Sequence, residues 1–210
     1  MRQPRPLSLA PEKGGGAAAA AHSSAFRPLL QECGIIPAVR KPELLDQALA
    51  AHGRILYLLC GDPENIGGLI ERTAEAGKLA IINIDLLSGL TRDISALRYL
   101  ERRGARGIIS THAEPLRQAQ SLGLYTIQRT FLLDSGAMDS LCHQMKHSQM
   151  DALEVLPALA VPKLLARLTG LAAEMPVVGG GLVDSLREAQ DLLAQGLAAI
   201  SASNPALWIA

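Results

Sequence analysis

From Phe26 onward the chain alternates short, nearly continuous apolar runs with stretches that repeat apolar positions every three or four residues. The first kind predicts strands buried on both faces; the second predicts helices packed over them. The predicted strands are GIIPAVR (34–40), ILYLLCG (55–61), LAIINID (79–85), GIIST (107–111), YTIQRTF (125–131), ALEVLP (152–157), PVVGG (176–180) and AAISAS (198–203). Helices are predicted from Pro42 to about Ala51, Asp62 to Gly77, near Thr91 to just before Gly104, about Glu114 to Ser121, Asp134 or Ser135 to about His147, Pro162 to Ala172, and Ser185 to Ala194. Asp62 reads as an N-cap with Pro63 at the first helical position, and Gly77 as a stop.

Eight strands alternating with helices over about 185 residues predict an α/β fold, a TIM-type (β/α) barrel of parallel strands. Such barrels usually take ~200–250 residues. One helix is therefore expected to be reduced or missing, and segments 86–92 and 158–163 are the weakest. An open doubly wound sheet is the alternative.

Composition changes this picture only at the N-terminus. Residues 1–25 are rich in Pro, Gly and Ala and lack a signal-peptide-like apolar core, so they are expected to be a disordered extension. Residues 26–210 are expected to form a single barrel domain. Hydrophobic residues make up 49% of the chain, enough for a sizeable core. Twenty basic residues balance 20 acidic ones, so no global attraction to nucleic acid is expected. Aromatic residues make up 3%, which argues against a stacking platform for single strands. Cys33, Cys60 and Cys142 are scattered and odd in number, which predicts reduced thiols and a cytoplasmic location. No apolar run is long enough to span a membrane.

In a barrel of this kind function lies at the C-terminal ends of the strands. Those ends carry Arg40, Asn83, Asp85, Ser110, Thr111, Gln128, Arg129, Glu154, Gly179, Gly180, Gly181, Ser201, Ser203 and Asn204. Gly179–Gly181 and Ser201–Ser203 would follow strands seven and eight, where barrels often hold a phosphate on backbone N–H groups and hydroxyls. Arg129 and Glu154 lie on successive strands, and a buried charge needs a partner. They are expected to pair, either as a purely structural ion pair or as part of a ligand site. His143 and His147 share a helix face but lack a third ligand, so no metal is expected. No strand-end lysine or Ser–His pair suggests covalent catalysis. These residues suit the holding of a small phosphorylated polyol. A barrel enzyme acting on such a metabolite, with Asp85 or Glu154 as acid or base, is the alternative. A regulator acting through another protein is a third reading. The clearest local basic cluster is Arg98, Arg102, Arg103 and Arg106, a candidate RNA contact or a solvated helix end.

The stretches IIPAVR (35–40), DLLSGLTRD (85–93), GIISTHAEPLRQAQSLGLYTIQRTFLLDSGAM (107–138), LEVLP (153–157), VVGGGLVDS (177–185) and ISASNPALW (200–208) resemble, in order, the glycerol-3-phosphate-responsive antiterminators, regulators of glycerol uptake operons. The resemblance implies a (β/α) barrel without catalytic activity or cofactor. Its effector would be sn-glycerol 3-phosphate and its partner a leader mRNA, in which a terminator is kept from forming. No DNA or membrane partner is implied, and a homo-oligomer is allowed. Carried over by position, the ligand candidates are Arg40, Asp85, Ser110, Gln128, Arg129, Glu154, Gly180, Gly181, Ser201 and Ser203. Two positions depart from the family pattern. Asn83 stands where a His is common, and Ala158 where many members have Gly.

Overall fold

A computed structural model describes residues 17–145, 149–168 and 174–208, without the side chains of 17–23. All eight predicted strands form: β1 (Ile35–Val39), β2 (Ile55–Leu58), β3 (Leu79–Asn83), β4 (Gly107–Ser110), β5 (Tyr125–Phe131), β6 (Ala152–Leu156), β7 (Val177–Gly180) and β8 (Ala199–Ala202). They pair in parallel in chain order and close through β8 on β1, making a (β/α) barrel. The open-sheet alternative is thereby excluded. The helices are α1 (Ala17–Cys33), α2 (Leu45–Ala50), α3 (Ile66–Glu75), α4 (Ile94–Arg102), α5 (Ala113–Ser121), α6 (Ser135–Met145), α7 (Val161–Leu165) and α8 (Leu186–Ala194). The reduced helical complement expected from length is visible. α2 and α7 are short, and among the described residues β8 is followed only by a 3-10 turn, Pro205–Leu207. No helix among the described residues is long and apolar enough to cross a membrane.

Inward-facing positions stack in register: Tyr57 beside Ile81, Ile109 beside Ile127, Ile127 beside Ala152, Arg129 beside Glu154, and Gly180 beside Ser201. The lower part of this interior is apolar. The polar residues enter only toward the C-terminal ends of the strands, because period-two alternation hands each strand's last inward position to the mouth.

α1 closes the opposite end. Phe26 and Leu30 are fully buried, and the Phe26 ring stacks on Tyr125, the first residue of β5, with centroids 4.3 Å apart. Of the expected disordered extension, residues 1–16 lie outside the described residues. Residues 17–25 instead belong to α1. Alanine has the highest helix propensity, so the Ala run extends a helix already anchored by Phe26 and Leu30.

Two helix starts differ from expectation. Asp62 does not cap α3; its Oδ1 accepts from the Glu64 and Asn65 amides at 2.9 and 3.1 Å, making a turn that delays the helix to Ile66. Such local side-chain bonds compete with helix formation. α4 starts after Asp93 rather than near Thr91. Asp93 Oδ1 accepts from the Ser95 and Ala96 amides, and Thr91 merely donates to the same carboxylate. α8, expected from Ser185 to Ala194, has Ser185 as its cap: the Ser185 Oγ accepts from the Glu188 amide while Glu188 accepts from the Asp184 amide. The expected continuations of α6 to His147 and of α7 to Ala172 run outside the described residues.

Candidate functional site at the barrel mouth

The strand-end candidates fall into two clusters on one rim. The first lies over β3 and β4. Asp85 sits in the 3-10 turn that follows β3, where the Asn83 side chain accepts from its amide. The Asp85 carboxylate faces β4. Its Oδ1 accepts from Ser110 Oγ at 2.8 Å, and its Oδ2 from the Thr111 amide and hydroxyl at 2.7 and 2.8 Å. Arg92 Nε lies 3.8 Å and His112 Nδ1 3.5 Å from Oδ1. Burial pushes the Asp85 carboxyl up. The Thr111 amide, the Ser110 and Thr111 hydroxyls and His112 together outweigh it, so the group is held below its ordinary value. Asp85 is thus an ionised clamp between β3 and β4, with most of its acceptor capacity used inside the protein. Gln128 joins this cluster by donating to the Thr111 carbonyl at 3.0 Å.

The second cluster spans β5 to β8. Arg129 Nε donates to Glu154 Oε2 at 2.6 Å, and Ser201 Oγ donates to Glu154 Oε1 at 2.6 Å. Glu154 is fully buried and the Arg129 side chain is 11% exposed. The expected pairing of these two charges is therefore present. Arg129 engages only its Nε, and its two terminal nitrogens make no hydrogen bond among the described residues.

The three glycines after β7 serve different ends. A Cβ on Gly179 would lie 2.7 Å from Leu197 Cδ2 and 2.9 Å from the Ala158 Cβ, so this glycine permits packing against the outer layer. A Cβ on Gly180 would lie 2.6 Å from Ser201 Oγ and 3.2 Å from Glu154 Oε1, inside the polar cluster. Gly181 is exposed and left-handed (φ 72°), followed by Leu182 in the same region (φ 56°), a conformation an L-residue adopts at a cost. Among the described residues, the exposed amides of Gly181, Leu182 and Ser203 find no acceptor. Ser203 and Arg40 are exposed at the rim and make no side-chain hydrogen bond among the described residues.

The sequence points to Thr111 as a strand end but not to Arg92 or His112, which with it complete the Asp85 cluster. The signal was the continuous polar STH at the end of β4. Tyr57 lies within the apolar run ILYLLCG, which by itself signals only a buried strand. Of the metal pair, His143 lies on α6 and His147 falls outside the described residues. The basic cluster lies elsewhere. Arg98 and Arg102 are on α4, and Arg103 and Arg106 follow it just before β4, at the end of the barrel away from the mouth. Arg103 pairs with Glu71 at 2.9 Å and lies over the Tyr99 ring, and Arg102 Nε donates to the Arg98 carbonyl at 3.3 Å.

Fold and mouth together define a (β/α) barrel whose polar residues converge at the C-terminal strand ends, with backbone amides after β7 and β8 that find no acceptor among the described residues. Residues 35–208 match the model of the family described as glycerol-3-phosphate responsive antiterminator, and the chain belongs to that family. It is 31% identical over 181 residues to the uncharacterized protein YgcP of Escherichia coli K12, covering 86% of this chain and 94% of that one. It is similar in structure to the glycerol uptake operon antiterminator regulatory protein of Listeria monocytogenes, with a TM-score of 0.74 and 27% identity over 83% of this chain and 94% of that one. A glycerol uptake operon antiterminator-related protein of Thermotoga maritima aligns equally well, with a TM-score of 0.74 and 28% identity over 83% of this chain and 97% of that one.

Proposed function

We propose that the chain is a cytoplasmic, non-enzymatic sensor of sn-glycerol 3-phosphate that acts through leader mRNA, by antitermination. The observation that carries the ligand reading is that the amides of the exposed residues Gly181, Leu182 and Ser203 find no acceptor among the described residues, beside the buried Arg129–Glu154–Ser201 group. Unpaired N–H groups in a glycine turn suit an anion. The Arg129 terminal nitrogens add a charged donor. Ser203 supplies a hydroxyl, and the strained Leu182 fits a turn held for function. Glu154, and to a lesser degree the already occupied Asp85, would meet the hydroxyls. Arg40, Ser110 and Gln128 would shape the opposite rim. The ligand is an effector, not a cofactor.

RNA is the partner that the family description favours, with neither DNA nor membrane required; self-association is compatible with this reading. Zero net charge calls for selective rather than general RNA contact. The candidate contacts are Arg98, Arg102, Arg103 and Arg106. Since they lie at the far end of the barrel, ligand must act on them by shifting a conformational equilibrium.

The test is a thermal-shift series with glycerol 3-phosphate, glycerol and inorganic phosphate. Glycerol 3-phosphate at 100 times its Kd stabilises by about 2.7 kcal/mol. A shift with a different sugar phosphate alone overturns the ligand, and turnover of the ligand overturns the sensor. Equal affinity for leader RNA with and without saturating ligand overturns the switch.

A further inference from the structure

Tyr57 is an inward-facing residue of β2, flanked in register by Ala38 and Ile81. It is fully buried, and its hydroxyl has no hydrogen-bond partner among the described residues. β2 and β6 stand opposite each other in the eight-strand ring, so the phenol projects across the barrel toward the strand that carries Glu154. Burial pushes the phenol pKa well up, and the Glu154 charge pushes it further, with Arg129 opposing. The hydroxyl therefore remains a neutral donor close to that ion pair.

A buried polar atom without a partner is costly, and native proteins rarely keep one without a reason. Near Tyr57 the Glu154 oxygens each accept one bond and retain acceptor capacity, while the Arg129 terminal nitrogens retain donor capacity. A group that both donates and accepts fits between them. Building on the polyol-phosphate reading of the site, we propose that Tyr57 and Glu154 form a subsite for a neutral hydroxyl group, and that Tyr57 thereby sets the preference for a ligand carrying that hydroxyl. The Arg129 side chain retains exposure that Glu154 and Tyr57 lack, and in this proposal it is the group that moves. An anion held at the β7 and β8 turns draws the Arg129 terminal nitrogens toward itself and opens the way for the ligand's hydroxyl. The same chemistry is offered by an ordered water, and the experiment separates the two.

The full-length wild type and Tyr57→Phe are titrated with glycerol 3-phosphate and with two analogues, propane-1,2-diol 1-phosphate and 3-hydroxypropyl phosphate, each lacking one hydroxyl. The wild type is expected to prefer glycerol 3-phosphate over one analogue by at least about tenfold, since that hydroxyl meets both the neutral Tyr57 phenol and the charged Glu154 carboxylate. Tyr57→Phe is expected to lower that ratio by about three- to tenfold, the share of the one neutral hydrogen bond it removes, with inorganic phosphate affinity unchanged and no fall in melting temperature. An unchanged ratio overturns the subsite, including the case in which a fixed water satisfies the phenol. A lowered melting temperature with the ratio retained assigns Tyr57 a structural bond and also overturns it. If the wild type does not bind glycerol 3-phosphate, the sensor reading and the subsite fall together, whereas binding with an unchanged ratio removes the subsite alone.

Discussion

Ser201 on β8 reaches Glu154 on β6 across the intervening strand β7, with its Oγ 2.6 Å from Glu154 Oε1, because Gly180 presents no side chain between them. Three strands thus share one polar contact at the mouth, and its geometry depends on a missing Cβ.

Gly180→Ala should separate that contact. The added Cβ would lie 2.6 Å from Ser201 Oγ. Overpacking of this kind costs about 1–3 kcal/mol. Calorimetric melting of the ligand-free protein checks it, and unaltered stability would show that the strands give way freely. Gly180→Asp would add a second carboxylate beside buried Glu154, so it should fold poorly.

Ser203→Ala separates ligand binding from folding. Ser203 is exposed and makes no side-chain hydrogen bond among the described residues, so the ligand-free melting temperature should stay the same. Loss of a hydroxyl donor to a charged phosphate should weaken glycerol 3-phosphate binding by about 1.5–3 kcal/mol, measured by titration calorimetry. Unchanged affinity removes Ser203 from the phosphate site.

Arg129→Met leaves Glu154 fully buried without its cation. Removing one partner of a buried pair typically costs about 3–5 kcal/mol. Urea denaturation should show this loss, and the double variant Arg129→Met with Glu154→Leu should recover much of it. Both single variants should lose the ligand-induced thermal shift.

Asp85 ties stability to pH. Its folded pKa is depressed, so its contribution is fully present above the unfolded-chain value of about 3.9. The contribution declines as pH falls below that value and is lost as pH passes through the lower folded pKa. Asp85→Asn should therefore flatten the acid limb of a stability–pH curve while leaving its shape above about pH 5 unaltered. An acid limb identical to wild type would show that the clamp carries no linkage.

Arg98→Ala combined with Arg106→Ala tests the far-end cluster. Both side chains are exposed. If they meet RNA phosphates, each substitution should lower the salt dependence of leader binding by about 0.7–1 in slope, leaving the glycerol 3-phosphate shift in place. Unchanged RNA binding would move the interface elsewhere.

Much of the fold was legible in the sequence because strands buried on both faces read as apolar runs, and turns at Gly77, Gly104 and Gly123 punctuate them. The helix starts were harder. Asp62 and Asp93 are the same residue type, yet one closes a turn and the other caps a helix, a choice made by the amides within reach. α1 was missed where an Ala-rich stretch reads equally as low complexity; its anchor is the fit of Phe26 against Tyr125 across the barrel floor.

The sequence by itself determined the strand–helix alternation, the polar strand ends and the pairing of Arg129 with Glu154, since each follows from local periodicity or from the cost of one unpaired charge. Only the tertiary structure decided that Ser201 completes that pair from 47 residues away, that Asp85 is an occupied clamp, and that the Tyr57 hydroxyl is buried without a partner among the described residues. The reason is closure. When β8 pairs with β1, residues with no local relation in the chain are brought around one axis, and their contacts are set by the ring rather than by their neighbours in sequence.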